Sequence, residues 1–490
     1  MDEKALSSMS VKEARTLIEK ARKAQQQYAG FSQEEVDEVV RCIAEIAGRE
    51  SERLARMAVE ETGFGVYEHK VVKNLFASRI VYESIKDIKT VGIINEDKAG
   101  KTLEIATPVG VIAALVPCTN PTSTVIFKTL IAVKTGNSIV FSPHPSAVGC
   151  IMEAVSVLRD IAHKIGAPED LISCMSIPTP EGTMELMKLS SLILATGGSA
   201  MVKAAYSSGV PALGVGPGNT PAFIERSADI PIAVKRIISG KTFDNGTICS
   251  SEQSIVTEEC IKDAVRKELV CQGAYFVEGE DMDCLSKLIQ KPGGGLNPKV
   301  VGQPAPKLAE MAGIKIPYGT RVLVCDQAGV GKDYPFSMEK LSPVLAFYSE
   351  ENWQKACGRC IELLEYGGMG HTVVIHSNNE KVIREFALRE PVSRVLVNTP
   401  SSLGAIGATT DLVPSLTLGC GALGGSATSD NVSVKHLINI RRIAYGVKEA
   451  EELVPKQSKK ISDIDINKIT SLVLERLREL NKMYELKEGI

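Results

Sequence analysis

Short apolar segments alternate with amphipathic helices between residues 109 and 224, and this alternation constrains the fold more than any other feature of the sequence. The predicted strands are 110–116, 138–141, 171–175, 191–195 and 212–216, and the predicted helices are 123–134, 146–164, 181–189 and 200–208. Such alternation predicts an α/β protein with a parallel sheet covered on both faces by helices. Because ligands bind these sheets beyond the carboxyl ends of the strands, we expect a site at the loops 117–121, 142–145 and 196–199.

The rest of the sequence predicts further structural elements on both sides of this region. Apolar residues recur at helical spacing through the first ninety residues, and 90–106 has the pattern of a hairpin. A second α/β region begins near residue 240. We therefore expect a first domain over 1–239, a second over 240–424, a return strand over 425–446, a polar linker over 447–461 and an amphipathic helix over 462–490.

Composition excludes several classes of protein. The formal net charge is −3, with Lys and Arg spread along the chain, which gives no support for nucleic acid as a partner. No apolar run approaches the ~20 residues of a membrane span. Twelve cysteines without a recognisable export signal predict free thiols in a cytoplasmic protein. The pair Cys357 and Cys360 favours a structural role, and the six scattered histidines predict no metal site.

Three segments carry candidate chemistry. Cys249 stands between a glycine and small polar residues, so its thiol is either an accessible nucleophile or a buried structural cysteine. Gly197 and Gly198 follow a predicted strand and open a helix, where backbone amides bind phosphate, although a tight turn is the more common explanation of such a loop taken alone. His371 lies among glycines ahead of an apolar segment, as either an acid–base residue or a histidine bonded to the backbone.

Taken together, the segments resemble the coenzyme A-acylating branch of the aldehyde dehydrogenase superfamily. The resemblance covers residues 14–445, and its motifs are VPCTNPTST, FSPHPSA, LATGGSAMVKAAYSSG, GVGPGNTP, FDNGTICSSEQ, MEKLSPV, GGMGHT and LTLGCG. It implies an aldehyde-dehydrogenase-like fold, with a Rossmann-type cofactor domain over 1–239 and a catalytic domain over 240–424. The hairpin near 90–106 and the segment 425–446 are expected to build a homodimer or homotetramer.

The resemblance also implies roles for individual residues. Cys249 is expected to attack the aldehyde, His371 to transfer protons, and Asn120 to bind the oxyanion. Thr119 is the alternative to Asn120, because hydrolytic members of the family carry their asparagine one position earlier. The positions expected to contact cofactor are Leu115, Pro117, Cys118, Thr119, Ser142, Pro143, His144, Thr196, Gly197, Gly198, Val215, Gly216 and Glu339.

Val215 is the most informative departure from the hydrolytic relatives, which carry a glutamate there as the base that activates water. Valine cannot accept a proton, so the resemblance favours coenzyme A as acyl acceptor and NAD as oxidant. The expected substrate is acetaldehyde or propionaldehyde, with succinic semialdehyde and sulfoacetaldehyde as alternatives. A hydrolytic, carboxylate-forming dehydrogenase is the competing enzyme, and a catalytically silent scaffold is the competing non-enzyme.

The segment 462–490 lies beyond this resemblance. Its apolar residues form one stripe at helical spacing, and Ser462 or Asp463 is a candidate helix cap. The segment resembles encapsulation peptides that carry enzymes into bacterial microcompartments, which predicts a shell protein as partner and a microcompartment as location. Packing against the chain's own domains is the alternative. The stripe consists of Ile466, Ile469, Val473, Leu477, Leu480 and Tyr484.

Overall fold

The computed structural model describes residues 3–291, 293–453 and 466–485. Helices fill its N-terminal part. The second begins at a complete capping box, in which Ser32 and Glu35 bind each other's backbone N–H groups, and it buries Val36, Val39, Val40 and Ile43. The helices are α1 (Glu3–Tyr28), α2 (Gln33–Arg49), α3 (Ser51–Thr62), α4 (Tyr67–Leu75) and α5 (Val81–Ile85), with a π-helical turn over Phe76–Ile80 between the last two.

A parallel five-stranded sheet follows, as the alternation of strands and helices predicts. Its strands are β3 (Val111–Val116), β4 (Ser138–Pro143), β5 (Ile172–Cys174), β6 (Leu192–Thr196) and β7 (Ala212–Val215), preceded by β1 (Gly92–Asp97) and β2 (Thr102–Pro108). The order is β5–β4–β3–β6–β7. Leu115 pairs with both Ser142 and Ala195, so three strands end at one edge of the sheet. The connecting helices are α6 (Pro121–Lys134), α7 (Val148–Lys164), α8 (Pro180–Leu189) and α9 (Ser199–Tyr206).

A second sheet of seven parallel strands forms the rest of the main body, in the order β10–β11–β12–β9–β8–β13–β14. These strands are β8 (Thr220–Ile224), β9 (Glu252–Glu258), β10 (Ala274–Phe276), β11 (Val322–Asp326), β12 (Val344–Glu350), β13 (Gly370–His376) and β14 (Val392–Val397). Its helices are α10 (Ile230–Thr242), α11 (Lys262–Cys271), α12 (Gly279–Ile289), α13 (Ala305–Ala312), α14 (Trp353–Gly367), α15 (Glu380–Ala387) and α16 (Ser401–Gly404). Cys357 and Cys360 are buried in α14.

The chain passes from the first sheet to the second before residues 239/240, where the sequence predicts a domain boundary. Chain order passes from the five-stranded to the seven-stranded sheet between Val215 and Thr220, so β8 and α10 belong with the second sheet. The connection is only four residues long and contains two glycines and a proline. Sequence composition does not change there, because both sheets are built from the same alternation of apolar strands and helices.

The described residues divide into two compact units, and the smaller one comprises 95–104 together with the described residues beyond 441. A three-stranded sheet has the order β1–β2–β15, with β15 spanning Ile438–Ala444, so the predicted hairpin is present. Helix α17 (Ile466–Glu485) exposes the whole predicted stripe, from Ile466 to Tyr484. The candidate caps Ser462 and Asp463 lie outside the described residues. No helix in the described part of the chain is long and apolar enough to cross a membrane.

Candidate active site

One cavity of about 350 Å³ collects almost all of the predicted site residues. Cys249 and Asn120 line it, and His371 does not. The loops that follow β3, β4, β6 and β7 form much of its wall, which is where ligands bind parallel sheets. Every predicted cofactor position also lines it: Leu115, Pro117, Cys118, Thr119, Ser142, Pro143, His144, Thr196, Gly197, Gly198, Val215, Gly216 and Glu339.

Cys249 is presented by a loop held in an unusual backbone conformation. Asp244 and Asn245 have φ angles of 49° and 52°, a region that costs a residue with a side chain roughly 1–2 kcal/mol. Specific hydrogen bonds stabilise them. The Asp244 N–H donates to His69 Nδ1 at 2.8 Å, and Asn245 Nδ2 donates to the Gly302 carbonyl at 2.8 Å. The position of the thiol is therefore fixed by contacts that are remote in sequence.

The thiol of Cys249 is neutral in this environment. Burial raises its pKa to about 12, with Glu339 and Cys420 adding to the rise and Arg394 opposing it. Burial also raises the pKa of the Glu339 carboxyl to about 8. Since only the thiolate is strongly nucleophilic, chemistry at this site requires a group that accepts the thiol proton.

Three candidate residues, Cys249, Glu339 and His371, lie around Gly218. Its N–H donates to Glu339 Oε1 at 3.0 Å. A Cβ built on Gly218 would lie 2.2 Å from the Cys249 carbonyl oxygen and 3.1 Å from His371 Cγ. Only glycine allows so close an approach of these segments.

His371 is fully buried beside Gly218. Its Nδ1 lies 3.0 Å from Thr372 Oγ1, while Nε2 has no hydrogen-bond partner among the residues that the structure describes. Burial, with a smaller contribution from the charge of Arg394, lowers the pKa of the imidazole to about 3. The pKa thus lies far below the usual histidine range because the ring is desolvated next to a cation.

The sequence did not indicate a buried charged cluster next to Asn120. Lys70 and Lys73 of α4 both contact the carboxylate of Asp244, and the three side chains are 0–3% exposed. Lys73 also lines the cavity. Asn120 Nδ2 donates to the Thr247 carbonyl at 3.1 Å, two residues before the nucleophile in sequence. Nothing in the spacing of α4 signals this role, since its lysines resemble those of any surface helix.

The loops after β4 and β6 provide the features expected of a dinucleotide site. The Ser142 and Thr183 hydroxyls are 2.8 Å apart in the cavity wall, and Thr183 was not predicted. Gly198 is the N-cap of α9, whose first N–H groups suit a phosphate. No atom lies within 4 Å of a Cβ built on Gly198 or Gly216, so a side chain there would take up open space at the cavity wall.

No group of three or more His, Cys, Asp or Glu side chains suited to a metal ion occurs among the described residues. Cys357 of the predicted structural pair contacts Glu390 Oε1 at 3.3 Å. The site therefore consists of a nucleophile, amides, hydroxyls and a small number of buried charges.

Comparison with known proteins agrees with this geometry. A model of the aldehyde dehydrogenase family matches residues 4–284. The chain is 45% identical over 452 residues to the bifunctional aldehyde-alcohol dehydrogenase of Escherichia coli (strain K12), an alignment that covers 91% of this chain and 50% of that protein. The chain thus spans about half the length of this relative.

Solved structures extend the similarity over nearly the whole length of single enzymes. An acetylating aldehyde dehydrogenase from Geobacillus thermoglucosidasius is 53% identical, with a TM-score of 0.89 and coverage of 90% of this chain and 98% of that one. Two propionaldehyde dehydrogenases are 30% identical, each with a TM-score of 0.80. One comes from a fucose utilisation microcompartment of Clostridium phytofermentans (89% and 98% covered), and the other, from Rhodopseudomonas palustris, contains bound propionyl-CoA (88% and 94% covered).

Proposed function

Because the chain belongs to the aldehyde dehydrogenase family, we propose that it is a coenzyme A-acylating aldehyde dehydrogenase. A small aldehyde, coenzyme A and NAD⁺ give an acyl-CoA, NADH and a proton through a thioester on Cys249. The observation that carries the proposal is the cavity wall. Val215 cannot activate water, and Glu339, the one acidic side chain among the described lining residues, has a pKa raised by burial to about 8, so it is mostly protonated at neutral pH.

Cys249, Asn120 and His371 have separate roles in the proposed reaction. Cys249 sulfur bonds to the aldehyde carbon, and the developing oxyanion accepts hydrogen bonds from the Cys249 N–H and from Asn120 Nδ2. His371 accepts a thiol proton at Nε2 in the tautomer whose Nδ1–H donates to Thr372 Oγ1. The contact of His371 with Gly218, which also touches Cys249, supports this role.

The residues present suit the two cofactors. NAD⁺ would accept the hydride of the aldehyde carbon, and coenzyme A would accept the acyl group. Gly198 and Gly216 leave room for a dinucleotide against the ends of β6 and β7, and the α9 N-terminus would bind its pyrophosphate. Ser142 and Thr183 would contact the adenosine ribose, and Glu339 the nicotinamide ribose.

The lining of the cavity favours a small, uncharged aldehyde. Lys73 is the one Lys or Arg among the described lining residues, and its ammonium already contacts Asn120, Asp244 and Thr247. Hence no uncommitted cation of the lining is available to a carboxylate or sulfonate on the substrate. Acetaldehyde and propionaldehyde fit better than succinic semialdehyde or sulfoacetaldehyde. The apolar side chains that line the cavity with Cys249 include Ile248, Leu341, Ile406, Leu416 and Leu418.

An assay of NADH release with and without coenzyme A tests the proposal. We expect release that requires coenzyme A, with acyl-CoA as the product identified by chromatography. Release without coenzyme A, together with free carboxylate, would establish the hydrolytic alternative. Absence of release with every aldehyde tried would establish the silent scaffold.

We further propose that the protein is a cytoplasmic homodimer or homotetramer that is enclosed in a bacterial microcompartment through α17. The exposed stripe of α17 supports this proposal because a helix of ~20 residues is only marginally stable without a partner surface. The origin of one structural relative in a microcompartment also supports it. Light scattering tests the oligomeric state.

A further inference from the structure

We propose that Lys73 is a positioning residue that fixes the orientation of the Asn120 side-chain amide. In this orientation the NH₂ group, rather than the oxygen, is available to the substrate oxygen at Cys249. The inference rests on the proposed function, since it requires Asn120 to lie beside the reacting carbonyl.

Two neighbours of opposite character determine the amide orientation. Lys73 Nζ donates to Asn120 Oδ1 at 2.5 Å, and an ammonium can only donate. The Thr247 carbonyl accepts from Asn120 Nδ2 at 3.1 Å, and a carbonyl can only accept. A flipped amide would place its NH₂ group against the Lys73 ammonium and its oxygen against the Thr247 carbonyl, so neither hydrogen bond could form. Lys73 and Thr247 therefore permit one orientation.

Lys73 is itself held in place. Its ammonium donates to the Asp244 carboxylate and, at 3.1 Å, to Thr247 Oγ1, so each of its three hydrogens has an acceptor. Asp244 also accepts from Lys70, 3.1 Å away, and from the Val66 N–H at 2.7 Å. Burial lowers the pKa of Lys73 to about 8, while the Asp244 charge acts in the opposite direction and favours the ammonium.

The amide retains a donor for the substrate. The second hydrogen of Asn120 Nδ2 is directed to Thr119 Oγ1 at 3.2 Å, a long contact to a neutral hydroxyl. An oxyanion is a stronger acceptor than a hydroxyl, so the substrate oxygen can displace that contact. Both Asn120 and Thr119 line the cavity, and the arrangement favours Asn120 over Thr119 as the donor.

Replacing Lys73 by methionine keeps the length of the side chain and removes the ammonium. The amide is then oriented by the Thr247 carbonyl alone, so its oxygen can turn toward the oxyanion and one donor is weakened or lost. Loss of a single oxyanion donor lowers kcat by ~10²–10³-fold. We expect Lys73→Met to lower kcat about 10²-fold, with the KM for NAD⁺ changed little because the cofactor loops are untouched.

Lys134→Met is the matched control. Lys134 is also a fully buried lysine, and it contacts Asp37 and the Lys86 carbonyl at 2.5 and 2.7 Å, outside the cavity. Its loss removes a comparable buried charge, so a similar fall in the unfolding temperature is expected, with kcat close to that of the unmodified enzyme.

A double-mutant cycle with Asn120→Ala separates positioning from a general structural effect. If Lys73 acts through Asn120, Lys73→Met causes no further loss of kcat in the Asn120→Ala background. Lys73→Gln is the second probe, for use if the methionine variant does not fold. It retains one N–H donor group, and its expected loss of about tenfold must also vanish in that background.

Additive losses in the cycle would overturn the inference, as would a Lys73→Met variant that folds and keeps its kcat. Failure of the proposed function is distinguishable, because the unmodified enzyme would then show no coenzyme A-dependent NADH release. Release by the unmodified enzyme together with additive losses would refute the role of Lys73 alone.

Discussion

Gly218→Ala tests whether the packing around the nucleophile controls the rate. The new Cβ would lie 2.2 Å from the Cys249 carbonyl oxygen, whereas real Cβ contacts essentially never fall below 3.0 Å. His371 Cγ, at 3.1 Å, blocks retreat of the Cβ toward the imidazole. The backbone that carries the thiol must therefore move by roughly 1 Å, a displacement that lowers a rate by ~10²-fold when the reacting atoms have to align.

The effect on stability is expected to be smaller than the effect on the rate. Inserting a methyl group into a well-packed interior costs ~1–3 kcal/mol. Gly218 has an ordinary φ angle, so its backbone conformation adds no strain for alanine. We expect Gly218→Ala to fold, to unfold at a lower temperature, and to show a kcat about 10²-fold below that of the unmodified enzyme.

Gly358→Ala provides the matched control. Gly358 lies inside α14, and no atom is within 4 Å of a Cβ built there. Alanine is favoured over glycine in a helix by ~1 kcal/mol, so this variant should be slightly more stable and equally active. Steady-state kinetics gives the kcat of both variants, and thermal unfolding gives their stability. A Gly218→Ala enzyme with kcat within threefold of normal would refute the reasoning.

Three other outcomes are expected. Cys249→Ala should abolish NADH release without lowering the unfolding temperature by more than a few degrees, and turnover above a trace would refute its role as the nucleophile. The pKa of His371 is lowered from 6.5 to about 3, so the folded state binds fewer protons than the unfolded chain and loses stability as pH falls below about 6.5. His371→Gln should reduce the stability lost between pH 7 and pH 5 by ~2 kcal/mol in urea unfolding, and an unchanged loss would contradict the low pKa. Deletion of residues 451–490 should leave turnover unchanged, while the same residues fused to a fluorescent protein should carry it into shells. Loss of assembly or activity on deletion would show instead that α17 belongs to the enzyme's own structure.

The fold could be predicted from the sequence because its signal is local. Each strand of the first sheet is a short apolar run between helices, and the five predicted strands all occur within a few residues of β3 to β7. The change of sheet between Val215 and Thr220 could not be predicted. Strand β8 has the same apolar character as β7, and its partners are the next strand, β9, and the distant strand β13, so no local signal distinguishes it from a strand of the first sheet.

The residues of the site likewise fall into those that could be predicted from the sequence and those that could not. Residues on loops that follow strands could be located, because parallel topology brings the ends of those strands together. Lys73 and Asp244 could not be located in this way, because their importance comes from burial next to Asn120. The contacts that create this cluster join residues 47–171 positions apart in sequence. The low pKa of His371 was missed for the same reason, since the neighbouring Arg394 and the surrounding burial are tertiary features.

The altered pKa of His371 bears on the choice of acyl acceptor. An imidazole with a pKa of about 3 is a weak base, and water, with a pKa near 15.7, requires a strong one. An ordinary alkyl thiol has a pKa of about 8.5, so it transfers its proton to the same weak base far more readily. Val215 adds no base, and the pKa of Glu339, raised by burial to about 8, keeps most of that carboxyl protonated at neutral pH, with Oε1 accepting from the Gly218 N–H. The described lining, with valine at position 215, thus offers no strong base for water, which supports a thiol as the group that releases the acyl chain from Cys249.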